Sequence, residues 1–239
     1  MLHVTQNLVS LVKKVKNFFD PINNLNIREL KRIIRPGCLV LDYGAGRSQY
    51  KDVVMSLDAT YHAYEPHGTS PKDDREFFFA SRCGNKVILL FDVLQHVKDV
   101  DGILSDITEL MDDQTQLIIT YPFLFPTCER KDFYRWTSGG FDDLLSRHSL
   151  KILKRSIRGG VLSCIIECFR MYLINARWIG DEGWFHKRRT YKWWIRLLIE
   201  VVFLLPRSFC YNIDRVLPNN GIYVGEIIEV TVDNDLSSY

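Results

Sequence analysis

The chain lacks a CxxC pair. Its six cysteines, Cys38, Cys83, Cys128, Cys164, Cys168 and Cys210, are scattered, and neither a histidine nor a second pair follows Cys164 and Cys168 at zinc-binding spacing. A structural zinc site and a disulfide framework are therefore unexpected, and a reduced, cytoplasmic setting is expected. HExxH and a dense acidic triad are missing too, so no metal is called for. Charge of one sign is also scarce. With 31 basic and 29 acidic residues the formal net charge is +2, which argues against general nucleic-acid affinity and leaves room only for a local basic patch. No apolar run reaches the roughly 18 residues of a membrane span. The strongest tracts, VLSCIIECFRMYLI (161–174) and WWIRLLIEVVFLLP (193–206), are interrupted by Glu167 and Arg170 and by Arg196 and Glu200. Around Lys13, Lys14 and Lys16 there is no apolar core followed by a small-residue cleavage site, so residues 1–26 are expected to be a helical extension. Internal repeats and low-complexity segments are absent.

What is present is an alternation. At 239 residues the chain has room for one core with an elaboration. A helix is expected over Ile27–Ile34, stopped by Pro36-Gly37, then a buried strand over Cys38–Leu41. Further strands are expected at Ala59–Tyr64, Lys86–Leu90, Leu117–Thr120, Lys151–Ile157 and Ile222–Val230, with helices at Val100–Met111 and Gly139–Ser146. Phe77–Phe79 offers at best one brief strand. This spacing predicts an α/β protein with a largely parallel sheet. Residues 27–158 would form the core and 222–232 the closing strand. Residues 159–221 are too long for a hairpin and too apolar for a disordered linker, so an inserted helical region is expected there.

The stretch LVLDYGAGRSQY (39–50) ends the first strand in a glycine turn. Gly44 and Gly46 let the backbone reverse sharply and a ligand approach without a Cβ in the way. A dinucleotide fingerprint would place a third glycine at position 49, where Gln49 stands, and no Gly-Lys-Ser/Thr follows to make a phosphate loop. Asp42 lies two residues before Gly44, and Glu65 ends the second strand, where a carboxylate can accept from both hydroxyls of a ribose.

On these residues the chain resembles the class I S-adenosylmethionine-dependent methyltransferases. VLDYGAG (40–46) is similar to their first motif, Glu65 to their ribose-binding acid, FDVLQHVKD (91–99) to the motif after the fourth strand, and LIITYP (117–122) to the fifth strand. The resemblance implies a Rossmann-like seven-stranded sheet of order 3-2-1-4-5-7-6 with an antiparallel last strand. It implies S-adenosyl-L-methionine as cofactor, with Asp42, Gly44, Ala45, Gly46, Glu65, Phe91, Asp92 and Val93 around it. KDFYRWTSGGFDDLL (131–145), RGG (158–160) and DRVLPNNGIYV (214–224) further resemble bacterial methyltransferases encoded with surface-polysaccharide and lipid biosynthesis. A small-molecule, sugar or lipid-linked acceptor follows by analogy, methylated at oxygen. The chain departs from the family at Gln95-His96, where Glu-His is usual, and in its short segment between Glu65 and Lys86. That segment leaves the adenine contact to Asp73, Asp74 or the backbone.

Methyl transfer from a sulfonium is an in-line displacement in which alignment supplies much of the rate. A hydroxyl acceptor also needs a base, and His96 is the candidate; Asp92 would orient cofactor or acceptor, or cap a helix. Asp132, Tyr134, Arg135 and Trp136 follow the fifth strand, at the edge where ligands collect, with Arg135 either gripping an anion or pairing with Asp132. Lys192, Arg196 and Glu200 share one helical face opposite Trp194, Leu197, Leu198, Val201 and Leu205, downstream of Trp184, Phe185 and the basic run 186–189. A lid, a homodimer interface and contact with the inner membrane surface all fit that arrangement. A noncatalytic cofactor-binding or interaction subunit on the same fold is the alternative to an enzyme.

Overall fold

The computed structural model describes residues 20–66, 78, 84–127, 131–175, 193–218 and 221–233. The elements are α1 (Pro21–Ile33), β1 (Leu39–Tyr43), α2 (Lys51–Met55), β2 (Thr60–Tyr64), β3 (Lys86–Phe91), α3 (Val100–Leu110), β4 (Thr115–Pro122), α4 (Ser138–Ser146), β5 (Leu150–Arg158), α5 (Val161–Asn175), α6 (Trp193–Asp214) and β6 (Gly225–Val232). A 3-10 turn, Leu94–His96, follows β3. Two compact units emerge. One gathers residues 27–123, 131–157 and 225–239; the other gathers 1–26, 124–130 and 158–224.

The first unit is a sheet of order β2-β1-β3-β4-β6-β5. β1, β2, β3 and β4 run parallel, and β6 is antiparallel to β4. The central strands are apolar on both faces because both faces are covered. Leu39, Leu41, Tyr43, Ile88, Leu90, Leu117 and Ile119 pack with Ile103, Leu104 and Ile107 of α3 and Phe141, Leu144 and Leu145 of α4. Their alternates, Val40, Val87, Leu89 and Ile118, pack with Leu30 and Ile33 of α1 and Val54 of α2. Asp99 opens α3 by accepting from the Gly102 N–H at 2.9 Å, and Thr137 opens α4 by accepting from Gly140 at 3.2 Å.

The seven-stranded order is corrected: six strands are present among the described residues, in the expected order without its third, outer strand. The reason is length. Only about 21 residues join β2 to β3, and one parallel crossover needs a dozen or more, so a strand and two crossovers do not fit. Within that connection Phe78 is helical and fully buried, with the Lys86 ammonium 5.6 Å from its ring centre. The rest of the connection, including Asp73, Asp74, Phe77 and Phe79, lies outside the described residues. So do the N-terminal lysines, Trp184, Phe185, the run 186–189 and Lys192.

The second unit is built on α5 and α6. The RGG and DRVLPNNGIYV segments meet there, since Asp214 accepts from the N–H groups of Gly160 (2.8 Å), Leu162 (3.2 Å) and Ser163 (2.7 Å) and caps α5 from a distant part of the chain. A Cβ on Gly159, whose φ is +74°, would lie 2.6 Å from the Ser163 Cβ and 2.8 Å from the Tyr211 ring. Asp214 and the two glycines of these segments thus meet at one helix start. Asp214→Ala is expected to cost about 1–2 kcal/mol by urea denaturation, with Asp214→Asn recovering part of the loss; an unchanged midpoint in the alanine variant would remove the cap from this account.

Candidate functional site

Where β1 ends, the chain turns through two left-handed glycines, Gly44 (φ +79°) and Gly46 (φ +55°). The Gly44 N–H donates to the Tyr64 carbonyl at 2.7 Å, which ties the turn to β2, and Ala45 accepts from Ser48 at 2.8 Å. The two glycines are required for different reasons. A Cβ on Gly44 would meet the Val93 methyls at 2.7 and 3.1 Å, whereas one on Gly46 would meet nothing within 4 Å. Glu65, just past β2, accepts a short hydrogen bond from the Gly46 N–H. Asp42, Gly44, Ala45, Gly46, Glu65 and Val93 are thereby gathered at the carboxyl end of adjacent parallel strands, where open α/β sheets bind ligands. Phe91 packs edge-on against Tyr50 at 4.8 Å between ring centres.

Asp42 is buried on the α1 side of β1 and accepts from the Tyr61 hydroxyl at 2.5 Å. Desolvation pushes its carboxyl up to about 6; the Tyr61 hydrogen bond pulls the other way, and the Glu65 charge adds to the rise. Burial and the neighbouring carboxylate raise Tyr61 as well. Sequence reading did not single out Tyr61. Its signal lies in the strand register: Asp42 faces Ala63, so Tyr61 is a diagonal neighbour on the same face.

Asp92 adopts φ +53°, and its N–H donates to both the carbonyl and the hydroxyl of Thr120 on β4, at 3.1 and 2.9 Å. It does not cap α3, a role that falls to Asp99. Gln95 is buried and donates from Nε2 to the Asp92 carbonyl at 2.8 Å, while its Oε1 meets no donor among the described residues.

The segment after β3 is joined to the segment after β4 at three points. The Phe133 N–H donates to the Gln95 carbonyl at 2.7 Å, the Tyr134 hydroxyl donates to the Lys98 carbonyl at 3.0 Å, and His96 Nδ1 donates to the Lys131 carbonyl at 2.7 Å. A proton held on Nδ1 leaves Nε2 as the basic nitrogen of the half-buried ring.

Asp132 and Arg135 pair with each other: Nη2 donates to Oδ2 at 2.7 Å, Nη1 makes a shorter bond to Oδ1, and Nη1 also reaches the Tyr134 carbonyl at 2.8 Å. This is the pairing alternative raised by the sequence. Tyr134 stacks on Trp136 with ring centres 5.3 Å apart, and Trp136 meets Phe141 edge-on at 5.4 Å. Beneath them Tyr121 stacks on Phe141 at 4.0 Å and hydrogen-bonds Glu226, a buried acid that also accepts from the Ser138 hydroxyl at 2.6 Å and forms an ion pair with the Arg155 guanidinium at 3.1 Å. Glu226 and Arg155 escaped sequence reading because they come from the last two strands of the chain.

No family model and no curated protein matches the chain. Among solved structures it is similar to a protein described provisionally as a sarcosine dimethylglycine methyltransferase from Galdieria sulphuraria. The two are 12% identical, with a TM-score of 0.50 over 92% of this chain and 85% of that one. It is also similar to the cyclopropane synthase MmaA2 of Mycobacterium tuberculosis, at 9% identity and a TM-score of 0.51 over 87% of this chain and 83% of that one. At these identities the likeness is one of fold, a Rossmann-like α/β sheet.

Two outcomes follow for the turn. Gly46→Ala is expected to cost roughly 1–2 kcal/mol in urea denaturation, the left-handed penalty alone. Gly44→Ala is expected to cost more, because Val93 must also move; equal losses would contradict this. For Asp42, a folded pKa near 6 against 3.8 unfolded means that the folded state binds the extra proton, so stability falls as pH rises from about 4 to 6. Asp42→Asn keeps an acceptor for Tyr61 and removes the titration. Its stability relative to wild type should rise by roughly 2 kcal/mol between pH 4 and 7, most of the full linkage at ~1.4 kcal/mol per pKa unit, and a pH-independent difference would contradict the assignment.

Proposed function

We propose that the chain binds S-adenosyl-L-methionine over the Gly44–Gly46 turn and transfers its methyl group to the hydroxyl of a small-molecule, sugar or lipid-linked acceptor. The observation that carries this reading is Glu65 held against the Gly46 N–H, above a turn where the Gly46 Cβ position opens onto unfilled space. An acid over a left-handed glycine turn suits a nucleoside that offers ribose hydroxyls to a carboxylate.

When bound, the cofactor supplies a methyl group on a sulfonium, an electrophile that needs no metal. Glu65 would take the ribose, Gly44, Ala45 and Gly46 the methionine side, and Phe91, Asp92 and Val93 the border. His96, with its proton kept on Nδ1 by the Lys131 carbonyl, would accept the acceptor hydroxyl's proton at Nε2. Tyr134 and Trp136 form a stacked pair suited to the face of a sugar ring. Arg135, already neutralised by Asp132, would serve to hold that loop, which favours a hydroxylated acceptor over recognition of an anion by this residue.

Titration calorimetry with S-adenosylhomocysteine and NAD tests the cofactor assignment. Binding of the homocysteine derivative and not of NAD is expected; the reverse would sink it. With an acceptor drawn from nucleotide-sugar, glycan and lipid fractions, His96→Ala should lower turnover by a factor of about 10²–10⁴ with cofactor affinity nearly unchanged. Unaltered turnover would remove His96 from the chemistry.

A further inference from the structure

Helices α5 and α6 are inverted. A surface helix ordinarily turns its apolar stripe inward and its charges outward. Here Glu167 and Arg170 of α5 and Glu200 and Arg207 of α6 are all buried. They are satisfied by one another. Arg207 Nε donates to Glu167 Oε1 at 2.6 Å, Arg170 Nε donates to Glu167 Oε2 at 2.9 Å, and Arg170 Nη1 reaches both Glu200 oxygens at 3.1 and 3.2 Å. Arg207 Nη1 also donates to Asp20 at 3.2 Å, and the Tyr211 hydroxyl to Glu167 at 3.4 Å.

The outward positions are apolar. Ile165, Phe169 and Tyr172 on α5 are 61%, 54% and 68% exposed, and Val202, Leu205 and Phe209 on α6 are 59%, 73% and 66% exposed. Leu198 and Val201 extend the α6 stripe at helical spacing. Over residues 161–174 and 198–211 no charged side chain is exposed. The sequence had the two faces of α6 right in composition, yet Glu200 lies inside and Leu198, Val201 and Leu205 lie outside.

We propose that this face of α5 and α6 rests in one leaflet of an anionic lipid bilayer as an interfacial hairpin. A contiguous exposed apolar surface marks an interaction site, and three features select lipid over a second copy of the chain. A protein interface carries about one hydrogen bond per 100–200 Å². Of the eight outward residues named here only Tyr172 offers a hydroxyl, while an acyl phase asks for none. Next, the helix charges are paired internally, which a low-dielectric surrounding requires of any charge it covers. Finally, the sequence entering α6 reads GWFHKRRTYKWW (183–194), a mixture of tryptophan, tyrosine and basic residues whose chemistry matches the headgroup layer of an anionic membrane. The hairpin lies on the bilayer instead of crossing it, since no described helix is long and apolar enough to span.

The inference does not depend on the methyl donor. The test is flotation of the full chain with vesicles of phosphatidylcholine alone and of phosphatidylcholine with phosphatidylglycerol, alongside a V202E/L205E double variant. Wild type should float with the anionic vesicles, and the double variant should lose at least about tenfold in partitioning while keeping its circular dichroism and S-adenosylhomocysteine affinity. Should that variant lose its circular dichroism, Y172E on α5 is read in its place. Wild type remaining unfloated with both vesicles overturns the proposal. So does a wild-type dimer in gel filtration that the substitutions convert to a monomer without any lipid binding, which would give the face to a second copy of the chain.

Discussion

The hydrogen bond from the Gly46 N–H to Glu65 is the interaction on which the site depends. It closes the end of β1 onto the end of β2 and sets an acid over a turn where the backbone is bare. The turn itself is possible only with left-handed residues, and its geometry is fixed from two sides: Tyr64 receives the Gly44 N–H, and Val93 fills the space a Gly44 side chain would need. Asp42 is the cost of this arrangement. Its carboxyl is buried beside the acid that closes the turn, so its charged form is less favoured than in a solvated aspartate, a pattern typical of functional positions. From this turn the arrangement passes to Val93, through Asp92 to Thr120 on β4, and through Gln95 and His96 to the loop that carries Tyr134 and Trp136. The segment after β3 is thus packed against the glycine turn and hydrogen-bonded to β4 and to the segment after it, and under the proposed reading that would supply the alignment an in-line displacement needs.

Much of this was legible in the sequence because parallel central strands leave an unambiguous mark. Val87–Leu90 and Leu117–Ile119 are continuous apolar runs, and a strand covered on both faces has no polar positions to show. Strand ends were less legible: β1 continues through Asp42 and Tyr43, since pairing with β2 and β3 carries the ladder past the last aliphatic residue. The extra outer strand came from the resemblance and not from the residues, which had already shown too short a connection. Glu65 and the glycines could be named from spacing alone, but Tyr61 and Glu226 act across the sheet, and a one-dimensional pattern does not contain register. The Asp132–Arg135 pair was legible only as one of two options, because a three-residue separation permits both a local pair and an outward arginine.

The late helical tracts mark the firmest limit of sequence reading. A helical wheel separates Glu200 from Leu198, Val201 and Leu205 without saying which face turns inward, and the usual rule chooses the apolar one. Burial of four charged side chains reverses that choice, and it is affordable only because Glu167 receives both arginines at once. RGG and DRVLPNNGIYV, far apart in sequence, find a shared purpose in the Asp214 cap.

The most direct measurement is the Gly46 amide resonance, followed by nuclear magnetic resonance as S-adenosylhomocysteine is added. With Glu65 exchanging the Gly46 N–H for the ribose hydroxyls, the account predicts a large, saturating shift of that amide, with Gly37, a left-handed glycine at the opposite end of β1, unmoved. Saturable binding that leaves the Gly46 amide where it was would contradict the placement of the cofactor over this turn.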